Sequence, residues 1–275
     1  MSQDSTELSQ RFRQQIDDHK IEVPMLPEVA RKVMMLVNDE DSDAAQLSAV
    51  IQGDQTLAAH IIRIANSPIY TPAGNIVSLQ QAISRLGMKL IAEVAMAASL
   101  SAKMFHAPQF EQRIKSLWNY SLMVGLWSKE VARIGRKNVE ASFLCGLLHG
   151  IGKPVVFQWL SDQKVEITDD KAESLVADLF SAANATVMET WEMPQLVQDA
   201  VTSFEQGLDS LNEQALLIRA GKAMATWAMS DQSMTPSEVP DHGEALPKLN
   251  LYPDDIEKLI EKQDDVKQTL ESMST

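Results

Sequence analysis

A single cysteine, Cys145, stands in 275 residues, which excludes an internal disulfide and any zinc cluster built on several thiolates. It lies in the apolar run Phe143-Leu144-Cys145, where a buried structural thiol is expected. Glycine and proline are scarce at 11 each, while Ala, Leu, Met, Gln and Glu abound, a vocabulary of helices rather than strands. No apolar run reaches the roughly 20 residues that span a bilayer. The opening MSQDSTELSQ has no basic stretch followed by an apolar one, so a secretory signal is not expected and the expected location is the cytoplasm, without a membrane partner. Basic residues are also few: 24 Lys and Arg against 38 Asp and Glu give a net charge of -14. Binding to phosphate backbones depends on clustered cations, so nucleic acid is not an expected partner. Missing too are a G-x-S-x-G elbow, a glycine-rich phosphate loop and a Cys-His pairing signature.

What is present is an ordinary globular balance, 45% hydrophobic and 23% charged, with apolar residues recurring at spacings of three and four. Val29, Ala30, Val33, Leu36 and Val37 make one stripe. Leu47, Val50 and Ile51 follow a candidate N-cap at Asp43; Leu57, Ala58, Ile61, Ile62 and Ala65 follow Asp54 and end at Asn66-Ser67-Pro68. Ser78 and Gln81 have capping-box spacing ahead of Leu79, Ala82, Ile83 and Leu86; Gly87 breaks that helix, and Leu90, Ile91, Val94, Ala95 and Ala98 continue in the next. His106-Ala107-Pro108 marks a joint. Beyond it, helices are expected over about 110–134, 141–149 with Gly150 and Gly152 at its end, 171–191, 194–206 and 211–229.

The stretch 230–247, rich in Ser, Pro, Asp and Glu, reads as a linker or extended loop. A last amphipathic helix beginning at Pro253 carries Ile256, Leu259, Ile260, Val266 and Leu270, and it either packs back on the chain or binds another. Eleven acidic and four basic residues fall after residue 230, the pattern of a solvated face.

Several short motifs fall in a fixed order. They are Leu26-Pro27-Glu28-Val29, Ile51-Gln52-Gly53-Asp54, Ile64-Ala65-Asn66-Ser67, the run Leu79 to Gly87, Leu117-Trp118-Asn119-Tyr120-Ser121, Gly146 to Lys153, and Trp191-Glu192-Met193-Pro194. Together they resemble the HDOD family, the HD-related output domain, over about residues 20–230. The resemblance implies an all-α, two-lobed helical domain of bacterial signal transduction. It places an N-terminal helical extension at 1–20, a helical lobe at about 21–105 packed on an HD-like bundle at about 106–230, and an acidic linker with a C-terminal helix at 231–275.

HD hydrolases hold divalent metals with an H…HD…D set, and the metal lowers the pKa of a bound water and polarises a phosphoryl oxygen. Carried onto this chain, the first histidine falls on Tyr120, the HD pair on His149 and Gly150, and the last aspartate on Gly221 after Ala220. A His-His pair that some members place after Trp-x-x-Pro falls on Phe204 and Glu205. Only His149 keeps its donor, and such sites need several. The expectation is therefore no metal, no cofactor and no catalytic residue. The expected function is a non-catalytic regulatory output domain that acts through a signalling protein partner and a small-molecule or nucleotide ligand in the remnant pocket. The alternative is a metal-dependent phosphohydrolase acting on a nucleotide or phosphodiester.

Individual residues keep two readings. His149 is a helix-end imidazole satisfied by a hydrogen bond, or part of a residual metal site with Glu205. Lys153 is solvated, or contacts a phosphate as a point charge. Asn66 and Ser67 finish a helix locally, or serve a lobe contact or ligand. Gly150 and Gly221 are expected to leave space for water or a ligand. His19, His60, His106 and His242 lack ligand spacing and are read as packing or surface residues.

Overall fold

The computed structural model describes residues 3–37, 39, 41–70, 76–100, 104–163 and 167–274, apart from the side chains of residues 3–5 and Val37. The last position of the first apolar stripe thus lies outside the described side chains. Among the described residues every regular element is a helix, so the architecture is all-α. The chain forms two compact units, Met1–Met25 with Ala102–Ile260, and Leu26–Ser101 with Glu261–Thr275.

The smaller unit holds α2 (Glu28–Val37), α3 (Ala44–Gln52), α4 (Gln55–Ala65), α5 (Leu79–Leu86), α6 (Met88–Ser99) and α15 (Gln263–Met273). Local chemistry sets its boundaries. Asp43 and Gln46 cap α3 reciprocally, and the Asp54 carboxylate accepts from the Leu57 N–H at 3.0 Å. Ser78 caps α5 through the Gln81 N–H, but the Gln81 side chain reaches past it to the Val77 N–H at 2.9 Å. Leu47, Ile51, Ile61, Ile64, Ile83 and Ile91 fill the core.

The larger unit holds α1 (Gln3–Asp17), α7 (Glu111–Ile134), α8 (Val139–Leu148), α9 (Gly152–Asp162), α10 (Asp169–Thr190), α11 (Gln195–Ser203), α12 (Glu213–Met229), α13 (Ala245–Lys248) and α14 (Pro253–Ile260). The sequence reading has no helix at α9, because Gly150 and Gly152 read as the end of the helix before it. Pro154 sits in the first turn, where its missing N–H has no helical partner to lose. The N-terminal segment is helical, as α1, and packs within the larger unit. Phe12 is fully buried edge-on against Trp159, with ring centroids 5.0 Å apart, and Ser9 and Arg13 both bond the Asp178 carboxylate.

The stretch 230–247, read as a linker, carries a helical turn at Pro236–Glu238 and then α13, burying Val239, Ala245 and Leu246. Its apolar residues outweigh the composition that suggested a loop. The final helix is two helices: α14 packs on α7 in the larger unit, and α15 packs on α6 in the smaller. The apolar stretch Val139–Asp162 has the length and composition to cross a membrane, yet 83% of its apolar 18-residue segment is buried inside the fold.

Glycines let α7 approach its neighbours closely. A Cβ at Gly146 on α8 would stand 2.8 Å from the Gly125 Cα and 2.8 Å from Ser128 Oγ on α7. One at Gly221 on α12 would overlap Ser128 Oγ and lie 2.9 Å from the Val124 carbonyl oxygen. Backbone on one side of each contact cannot rotate away. Gly146→Ala is therefore expected to lower the unfolding free energy in urea by about 1–3 kcal/mol, and a loss below about 0.5 kcal/mol, ordinary for a surface site, would contradict this packing.

Candidate functional site

The site forms where α8 turns into α9. Asn184 of α10, fully buried, holds that turn: its Oδ1 accepts from the Gly152 N–H at 2.7 Å and its Nδ2 donates to the His149 carbonyl at 2.8 Å. Gly152 is needed here, because a Cβ would come within 2.6 Å of the Asn184 nitrogen.

His149 is 1% exposed, with Nδ1 2.7 Å from the Gly146 carbonyl. A carbonyl only accepts, so Nδ1 carries the proton and Nε2 a lone pair. Burial, with the Lys222 ammonium next and Lys153 behind it, holds this imidazole well below its ordinary pKa. It is neutral. Around it stand Tyr120 of α7, at 6.0 Å between centroids, and Phe204, at 5.5 Å.

Lys222 of α12 is the residue that the sequence reading missed. Its side chain is 10% exposed; Nζ donates to Glu205 Oε1 at 2.8 Å and lies 4.9 Å from the Phe204 ring centroid. Glu205 is held in place from behind, since Arg219 donates to the flanking carbonyls of Phe204 and Gln206 at 2.6 and 2.9 Å. Burial pushes the Glu205 carboxyl up, but Lys222 outweighs it and the group stays below the usual carboxylate range. Lys153, at the start of α9, lies over the Phe180 ring at 4.9 Å, and burial followed by Lys222 lowers its pKa. Burial raises the Tyr120 phenol, against a side-chain hydrogen bond with Thr226.

His242 was also missed as a member of the site. Burial and Lys222, opposed by Glu205, bring its pKa down to about 4, and its Nδ1 is buried with no hydrogen-bond partner among the described residues. Nothing in its local sequence signals this placement. Lys222 did carry a signal, being the one charge in the otherwise uncharged run from Ala220 to Met229.

The structure thus brings together Tyr120, His149, Gly150, Lys153 and Glu205, and adds Lys222, Phe204, Phe180 and His242. Gly150 has room, for a Cβ there would meet only Ser121 Oγ at 3.5 Å and Lys153 Cδ at 3.9 Å. The space expected at Gly221 is absent, because Ser128 and the α7 backbone fill it. Asn66 and Ser67 belong to the smaller unit. There Asn66 Nδ2 donates to the Ile62 and Ile76 carbonyls at 2.9 and 2.7 Å while Oδ1 accepts from the Ile76 N–H; Ser67 Oγ is buried without a partner among the described residues. Cys145 is buried, and burial raises its thiol to about 12, which makes it inert at neutral pH.

These donors do not suit a divalent cation. Two imidazoles and one carboxylate face two ammonium groups, and the carboxylate is already paired with one of them. Among the described residues no group of three His, Cys, Asp or Glu comes together elsewhere.

Two stability predictions follow from this geometry. The neutral histidines take up protons on unfolding, so their contribution is fully present above the ordinary value of about 6.5 and lost as pH falls below it. Resistance to urea unfolding should weaken from pH 7 toward 4, and His149→Phe should flatten the slope by up to about 1.4 kcal/mol per pH unit; an unchanged slope would contradict a neutral buried His149. Gly150→Ala should leave stability within about 0.5 kcal/mol or raise it slightly, whereas Gly221→Ala should cost about 1–3 kcal/mol by the same assay.

Comparison with known proteins gives this arrangement a context. The HDOD domain family is matched over residues 23–206. An uncharacterized protein of Treponema pallidum (strain Nichols) is 20% identical over 209 residues, which cover 72% of this chain and 39% of that protein. The chain therefore spans about two fifths of that relative's length. A crystal structure described as a "putative metal-dependent phosphohydrolase" of Shewanella amazonensis SB2B superposes with a TM-score of 0.76 at 20% identity, covering 98% of this chain and 100% of that one. Another, a "putative signal transduction protein" of Marinobacter aquaeolei VT8, gives 0.70 at 20% identity over 98% of this chain and 66% of that one. At such identity the likeness establishes the fold alone.

Proposed function

The chain belongs to the HDOD domain family, and on that premise we propose that it is a non-catalytic regulatory output domain of signal transduction. It acts in the cytoplasm through contacts with a signalling protein partner and through a small molecule held in the altered pocket. The observation that carries this reading is the Lys222 ammonium, 2.8 Å from Glu205 and beside the neutral His149. A fixed cation at that point repels a second one and occupies the carboxylate that a metal would need. Gly150 and Gly221 bring no ligand of their own.

The alternative, a metal-dependent phosphohydrolase acting on a nucleotide or phosphodiester, draws on His149 and Glu205 sharing one pocket. It requires Glu205 to leave Lys222 and leave that ammonium buried without its partner, a change that costs about 3–5 kcal/mol for a fully buried pair and less where, as here, the carboxylate is half-exposed. Assays with a generic phosphodiester and with nucleotides, each with added Mn2+, Mg2+ or Zn2+, decide between the two. No turnover dependent on His149 is expected, with wild type and His149→Ala equal to background. Metal-dependent turnover that His149→Ala abolishes would establish the hydrolase instead.

A further inference from the structure

The cations of this pocket have more donor capacity than the chain uses. Among the described residues the Lys153 ammonium makes no hydrogen bond or ion pair and rests on the Phe180 ring, and Lys222 has a single carboxylate for three N–H groups. Rings connect the two: Phe180 and Phe204 have centroids 6.5 Å apart, with Lys153 over one and Lys222 over the other, each at 4.9 Å. Beside Lys153, Gly150 presents bare backbone, and the heavy atoms nearest its missing Cβ are a hydroxyl, Ser121 Oγ, and the Lys153 stem. The charged and titratable groups facing this space are Lys153, Lys222, Glu205, His149, His242 and Tyr120, with Glu173 also acting on Lys153; of the two carboxylates, Glu205 is paired with Lys222 and Glu173 with Arg113, so Lys153 has no ion pair of its own. Lys153 is thus left without a hydrogen-bonded partner in a partly buried place, where a charge-assisted hydrogen bond is about twice as strong as a neutral one.

We propose that the space over Gly150 binds a small oxyanion of the phosphate class, held by the Lys153 ammonium, the free N–H groups of Lys222 and the Ser121 hydroxyl. This inference rests on the reading of the pocket as metal-free and adds the chemistry of its ligand. Such an anion supplies the direct ion-pair partner that Lys153 lacks, and it makes the fixed ammonium groups do what a bound cation does elsewhere, which is to attract phosphoryl oxygens. The larger source of the group is a phosphorylated small molecule and the smaller is inorganic phosphate.

Calorimetric and thermal-shift titrations of the full chain with inorganic phosphate and with AMP, in EDTA and at ionic strength fixed with chloride, test it. Saturable binding of at least one is expected, and the tighter of the two identifies the source. Lys153→Met should weaken that binding at least tenfold, while Lys32→Met, on the exposed face of α2, should leave it unchanged. Gly150→Asp should abolish anion binding and raise the Tm, because a tethered carboxylate then fills the space beside Lys153. Its opposite effect on Tm separates loss of the site from loss of the fold. Absence of saturable binding up to about 10 mM, or binding indifferent to both Lys153→Met and Gly150→Asp, overturns the anion site and leaves the non-catalytic reading intact. Hydrolysis of AMP once metal replaces EDTA overturns the non-catalytic reading instead.

Discussion

The close approach of α7 to α8 and α12 is the constraint from which the pocket follows. It depends on Gly125, Gly146 and Gly221, which let Ser128 and bare backbone pack where side chains would hold the helices apart. That crossing fixes the rotation of α12, and the residue after Gly221 is Lys222, whose ammonium is thereby committed to the space beside His149. The glycine at 221 is thus a packing residue, and the charge next to it is the chemical one.

Once Lys222 is in place, the protonation of its neighbours follows. In a partly buried cluster each added positive charge is costly, so His149 and His242 remain neutral and Glu205 remains ionised. Arg219 contributes without touching the site, by tying down the backbone on both sides of Glu205. Asn184 does the same for the turn between α8 and α9, and a single buried amide there sets the position of both His149 and Lys153. The proposed regulatory role uses this rigidity, since a ligand or partner that binds one arrangement of these groups better than another shifts the whole cluster.

Much of the helical fold was legible in the sequence because periodicity and caps are local. Asp43, Asp54 and Ser78 start helices where their spacing says they should, and Asn66 finishes one. The rest needed three dimensions. The helix at α9 was hidden by Gly150 and Gly152, which read as the end of α8, whereas Gly152 opens the next helix. Phe12 sits in a polar segment, and its burial against Trp159, almost 150 residues away, has no local signature. At the site, Tyr120, His149, Gly150, Lys153 and Glu205 could be named from their motifs. The two glycines looked equivalent there, and only contacts with Ser121 and Ser128 distinguish the roomy one from the filled one. His242 joined the cluster from a stretch whose composition suggested a loop.

A hydrolase of this shape and a regulatory domain of this shape differ in what stands opposite His149: a bound divalent cation or a covalently attached ammonium. The metal content of the full chain, purified without chelator and dialysed against Mn2+, Zn2+ or Fe2+ before elemental analysis, measures that difference directly. The account predicts substoichiometric metal that does not change in His149→Ala. One or two equivalents of a transition metal per chain, lost in His149→Ala, would contradict it.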